Sequence, residues 1–87
     1  MKPFTNRVAI VTGAGKGIGA AVAKRLAEEG AKIAVIDLKE DFGASTVDSI
    51  QSNGGEAIAV GCDVSKSDQV ENAVKKINQH FGRVDLL

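Results

Sequence analysis

Val8-Ala9-Ile10-Val11-Thr12-Gly13-Ala14-Gly15-Lys16-Gly17-Ile18-Gly19 is the stretch from which the rest of this 87-residue sequence is read. Its first four residues are a short, continuous apolar run rich in β-branched side chains, which predicts a strand buried on both faces. The run ends at Thr12 and passes into a cluster of glycines. Beyond them Ile18, Val22 and Leu26 recur at i, i+4 and i+8, with Lys24, Arg25, Glu28 and Glu29 beside them and Gly30 as the stop. The stretch therefore predicts a strand, a glycine turn and an amphipathic helix with Ile18, Val22 and Leu26 inward.

A turn of this kind suits an anion. Glycines permit a tight backbone and leave no Cβ in the way of a close approach. The unpaired amides and the dipole at a helix start favour negative charge, so a pyrophosphate fits here. The spacing is Gly13-x-x-x-Gly17-x-Gly19 and departs from Gly-x-Gly-x-x-Gly, because position 18 is Ile. It also fails the P-loop pattern, having no Gly-Lys-Ser/Thr triplet. A merely flexible glycine turn is the competing reading, and the flanking strand and helix weigh against it.

Working outward, Ile33-Ala34-Val35-Ile36 repeats the buried-strand pattern and ends at Asp37. Asp41 to Asn53, closed by Gly54-Gly55, predicts a weaker helix with Phe42, Val47 and Ile50 inward. Ala57 to Gly61 is a third strand. Ser65 with Asp68 resembles a capping box, with Asp in place of the usual Glu or Gln. Val70, Ala73, Val74, Ile77 and Phe81 line one helical face until Gly82, and Val84-Asp85-Leu86-Leu87 begins a fourth strand.

The order β-α-β-α-β-α-β with short connections implies an α/β, doubly wound parallel sheet with right-handed crossovers, of strand order 3-2-1-4. Nothing marks a second domain, so residues 1–87 read as the N-terminal part of a single dinucleotide-binding Rossmann domain. The first two helices should cover one sheet face and the third the other, leaving apolar surface and an open edge at the fourth strand.

Composition narrows the function classes. Eleven basic residues balance eleven acidic ones, so no net positive field recruits nucleic acid or an anionic membrane. The single cysteine, Cys62, excludes an internal disulfide and multi-cysteine metal sites, and fits a reducing cytoplasm. No apolar run approaches the roughly 18 residues needed to span a bilayer. The reading is a soluble, cytoplasmic protein that binds neither nucleic acid nor membrane and holds no metal.

Asp37 stands about 20 residues beyond the glycines at a strand end, where an acidic side chain hydrogen-bonds an adenosine ribose. A carboxylate there repels a 2′-phosphate and favours NAD over NADP; Lys16, a cation within the glycine loop, pulls the other way. A strand-end or capping aspartate is the bland alternative, weakened because Asp41 could already cap the next helix.

Thr12-Gly13-x-x-x-Gly17-Ile18-Gly19, Asp37, Cys62-Asp63-Val64 and Gly82-Arg83-Val84-Asp85-Leu86-Leu87 together resemble the short-chain dehydrogenase/reductase family over nearly the whole chain. The resemblance implies that Gly13, Lys16, Gly17, Ile18 and Gly19 hold pyrophosphate and ribose. It assigns Asp37 to the adenosine hydroxyls, and Asp63 with Val64 to the adenine. On physical grounds alone, Asp63 could equally cap the turn into the third helix. Cys62 reads as a small buried residue with no basic neighbour to activate it. His80 reads as a structural imidazole near a helix C-terminus, and Lys24, Arg25, Lys75 and Lys76 as solvated.

The family's Asn-Asn-Ala-Gly segment, serine and Tyr-x-x-x-Lys pair are not found, and the chain contains no tyrosine. No catalytic residue is therefore assigned within it. In the family a tyrosine acts as acid or base toward the substrate oxygen while the nicotinamide exchanges hydride. The resemblance implies a homo-oligomeric parent enzyme that acts on an alcohol/carbonyl pair, the substrate range spanning 3-oxoacyl, sugar, cyclic-alcohol and diol chemistry. The isolated chain is expected to be inactive. The other reading is a non-catalytic nucleotide-binding module or sensor that completes its sheet with a partner.

Overall fold

A computed structural model of the chain describes residues 5–13 and 17–82. The expected fourth strand and the expected role of Lys16 lie outside these residues. Six elements follow in order: β1 (Val8–Thr12), α1 (Gly17–Glu28), β2 (Lys32–Asp37), α2 (Glu40–Ser52), β3 (Ala57–Gly61) and α3 (Ser67–Phe81). The three strands form one parallel sheet in the order β1-β2-β3, which is the 3-2-1 portion of the expected order.

Alternation along the strands divides the apolar residues between two faces. Val8, Ile10, Ala34, Ile36, Val60 and Cys62 pack with Ala73 and Ile77 of α3. Ala9, Ile33, Val35 and Ala57 pack with Ala23 of α1 and Ile50 of α2. The expected division, two helices on one face and one on the other, is what the chain adopts. β1 and β2 are buried on both faces because every other residue of each apolar run faces a different helix layer.

The inward faces of α1 and α2 differ from those expected. Ile18 is 85% exposed and Val22 is exposed as well, while Ala20 and Ala23 are buried and Leu26 and Ala27 half-buried. Small residues bring α1 closer to the sheet than a seam of larger ones would allow. In α2, Phe42 is 51% exposed, and the buried stripe runs through Gly43, Thr46 and Ile50 with Val47 half-buried. Gly43 makes this approach possible: a Cβ there would lie 2.8 Å from Cγ1 of Val35. In α3 the expected face holds for Ala73 and Ile77, with Val70 and Phe81 packed against them, but Val74 is exposed at its margin.

Helix ends follow the glycines. After α1, Ala31 N–H donates to the Leu26 carbonyl and Gly30 N–H to that of Ala27, with Gly30 left-handed at φ 101°. This closes the last turn as a Schellman motif. Gly54 and Gly55 repeat the pattern on the Gln51 and Ile50 carbonyls. Gly82, left-handed at φ 82°, ends α3 with its N–H donated to the Asn78 carbonyl. The helix starts depart from expectation. Lys39 and Lys66 occupy the N-cap positions of α2 and α3, and neither makes a side-chain cap bond. Asp41 therefore sits inside α2 rather than capping it. No Ser65/Asp68 capping box forms: Lys66, not Ser65, is the N-cap of α3, and the Ser65 N–H that an Asp68 carboxylate would accept is donated to Asp63.

Candidate functional site

The strand register brings the candidate residues to one edge. Thr12 pairs with Ile36, and Asp37 with Gly61. The ladder runs one step further in both directions across β2: Gly13 N–H donates to the Ile36 carbonyl and Cys62 N–H to the Asp37 carbonyl, each at 2.8 Å. The glycine turn, Asp37 and the Asp63-Val64 pair therefore leave three neighbouring strands side by side at their carboxyl ends. In an open α/β sheet this is where ligands bind.

Gly13 and Gly17 are both left-handed, at φ 61° and 66°, a conformation that a side chain disfavours. No described atom lies within 4 Å of a Cβ built on either. Among the described residues, nothing fills the space where a phosphate would have to approach the backbone. Gly17, Ile18 and Gly19 form the first turn of α1, whose amides have no intrahelical partners, and that turn contains no acidic residue to oppose an anion. The described part of the turn fits a dinucleotide pyrophosphate.

Asp37 is half-buried as the last residue of β2, and its Oδ1 accepts the Leu38 N–H at 2.9 Å. Leu38 itself is 63% exposed.

Asp63 follows β3 in the neighbouring loop. Its Oδ1 accepts the Ser65 hydroxyl at 2.6 Å and the Ser65 N–H at 3.0 Å. The Ser65 hydroxyl, then the Ser65 amide, with a smaller contribution from Lys66, hold the carboxyl below its ordinary range against slight desolvation. The capping-like role open to Asp63 on physical grounds is thus realised within the turn. Its backbone N–H donates to Gln69 Oε1 at 2.8 Å. Val64 is 59% exposed, so an apolar side chain stands free at this edge.

Leu38 and Gln69 were not among the residues singled out from sequence. An apolar residue just past a strand end fits no periodicity. A side chain reaching back six residues to a loop amide leaves no pattern in composition or spacing.

Cys62 is buried in the α3-side core, as expected of a structural cysteine. His80 is exposed in the last turn of α3 and meets Phe81 edge-on, with ring centroids 4.7 Å apart. Lys24, Arg25, Lys75 and Lys76 are solvent-exposed. Among the described residues no group of three acidic, His or Cys side chains could hold a metal, and no helix is long and apolar enough to cross a membrane. A cavity of about 400 Å³ opens at the opposite, amino end of the strands beside Lys24, Glu28, Lys32 and Glu56. It gathers none of the candidate residues.

Residues 7–87 match the family model described as short chain dehydrogenase. The chain is 49% identical over 80 residues to the short-chain reductase protein NovJ of Streptomyces niveus, covering 92% of this chain and 30% of that protein. Among solved structures, a metagenomic short-chain oxidoreductase in complex with NADP superposes with a TM-score of 0.90 at 34% identity, over 97% of this chain and 38% of the other. Hydroxysteroid dehydrogenase from Escherichia coli gives 0.93 at 36% identity, over 97% and 36%. The chain thus spans about a third of the length of the proteins it resembles.

Proposed function

The chain belongs to the short chain dehydrogenase family, and from that premise we propose that it is the cofactor-holding part of an oxidoreductase that binds NAD in preference to NADP. The observation that supports the reading is the shared carboxyl edge, where the glycine turn, Asp37 and Asp63-Val64 emerge from three adjacent parallel strands. Each has a separate task there. The amides at Gly13, Gly17, Ile18 and Gly19, with Lys16, receive the pyrophosphate. Asp37 accepts from the adenosine ribose hydroxyls, and Asp63 and Val64 meet the edge and face of the adenine.

When bound, the nicotinamide supplies a hydride donor or acceptor for an alcohol/carbonyl pair. A hydroxysteroid dehydrogenase among the structural relatives supports that substrate class. The NADP complex supports a nicotinamide dinucleotide as the ligand. The preference for NAD rests on Asp37, whose carboxylate would sit against a 2′-phosphate with like charge. The 87 residues contain no tyrosine. Acid-base work at the substrate oxygen is therefore placed in the part of a longer, homo-oligomeric, cytoplasmic parent that its relatives have and these residues lack, and the chain alone binds without turnover.

Calorimetric titration of the protein with NAD and with NADP tests this. Saturable binding with NAD the tighter ligand supports it. Tighter NADP binding overturns the preference, and binding of neither overturns the reading.

A further inference from the structure

The turn after β3 departs from the sheet at a point where its amides need new partners. Cys62 N–H still reaches β2, donating to the Asp37 carbonyl at 2.8 Å. Lys66 N–H donates to the Asp63 carbonyl at 3.0 Å, and Ser65 sends both its donors to Asp63 Oδ1. These bonds run within the turn or back to β2. The Asp63 N–H comes after the last ladder residue, Gly61, and it is taken by a side chain: Gln69 Oε1, at 2.8 Å in a half-buried setting.

Gln69 is well placed for this. It lies in the first turn of α3, one turn before Ala73 and two before Ile77, both of which are buried against the sheet. Its backbone is therefore held by the core, and its amide oxygen is a fixed acceptor carried on a rigid element. An unpaired, part-buried amide at Asp63 would otherwise need water or a shifted turn.

We infer that Gln69 is a positioning residue for adenine recognition: by holding the Asp63 amide it sets the angle at which Asp63 and Val64 present themselves to the base. It does not itself touch the cofactor. The inference rests on the dinucleotide reading proposed above and assigns that site a residue outside its motifs.

The test uses AMP, which offers only the adenosine half of the cofactor, with two variants of the protein. Gln69→Met keeps side-chain length and helix propensity but removes the acceptor. It weakens AMP binding by roughly three- to tenfold, the factor expected for one net hydrogen bond. Gln69→Glu keeps an acceptor at the same reach, now charge-assisted, and restores the affinity of the unsubstituted protein. In Gln69→Met the Asp63 amide also exchanges with solvent faster, while amides in the middle of α3 are unchanged. Unaltered AMP affinity in Gln69→Met, or an equal loss in both variants, overturns the inference. If the unsubstituted protein binds no AMP, the dinucleotide reading falls and the adenine role of Gln69 falls with it. Amide exchange at Asp63 separates that failure from the absence of the Gln69 anchor itself.

Discussion

The backbone N–H of Cys62 donates to the carbonyl oxygen of Asp37 at 2.8 Å, one step beyond the last register pair, Asp37 and Gly61. Both residues are tied to the sheet just before their loops diverge. The Asp37 carboxylate and the Asp63 turn consequently start from a shared backbone reference. The backbones at the starts of the two loops are therefore spaced by parallel-strand geometry.

Asp37 should decide between the two nicotinamide cofactors. Asp37→Ser removes the charge while keeping a hydroxyl at the strand end. It lowers NAD affinity by about tenfold or more, the loss expected for a charged hydrogen-bond acceptor, and improves NADP affinity relative to NAD. Competitive titration of the two cofactors reads the ratio directly. A ratio that does not move would remove Asp37 from ribose recognition.

Gly17 separates binding from stability. Its φ of 66° disfavours a side chain, yet no described atom lies within 4 Å of a built Cβ. Gly17→Ala therefore costs about 1 kcal/mol of stability through backbone conformation alone. The new methyl group occupies the open space through which a diphosphate approaches, so NAD binding falls by more than about tenfold. Thermal unfolding and titration of the same variant measure the two effects. Lost stability with unchanged NAD affinity would indicate that the glycine serves only the fold.

The architecture was legible because β1, β2 and β3 are short apolar runs separated by glycine-terminated helices, a pattern that parallel sheets impose on sequence. The helix faces were less so. At Ile18, Val22 and Phe42 the rule that larger apolar residues point inward gave way to close approach, with Ala20, Ala23 and Gly43 taking the sheet side. Hydropathy favours the bulky residue, while interlayer distance favours the small one. The positions of the candidate residues were legible in the spacing, because Gly13 directly follows β1, Gly17 opens α1 and Asp37 closes β2. Gln69 was invisible, since its role depends on a side-chain reach that no periodicity encodes.

Gly43 provides a test of that close approach. Alanine is the better helix former by about 1 kcal/mol, but its Cβ would meet Val35 Cγ1 at 2.8 Å in a fully buried position. Overpacking of this kind costs roughly 1–3 kcal/mol. Gly43→Ala is therefore expected to lower the urea midpoint, and to do so much less in a Val35→Ala background, where the methyl has room. Stabilisation by Gly43→Ala in the native background would show that α2 does not rest on β2 as described.

The Asp63 turn carries a pH dependence whose sign follows from its hydrogen bonds. The Ser65 hydroxyl and amide favour the ionised carboxyl and hold its folded-state value below the ordinary 3.8. A group depressed on folding contributes stability that is fully present above the unfolded value and is lost as pH falls through the lower folded one. The turn should therefore keep its shape at neutral pH and loosen only under strongly acidic conditions. Ser65→Ala deletes the 2.6 Å hydroxyl bond and keeps the amide. The Asp63 titration midpoint, followed by NMR at the side-chain carboxyl carbon, should then rise toward 3.8 without exceeding it. Identical midpoints in the two proteins would mean that the hydroxyl does not favour the charged form.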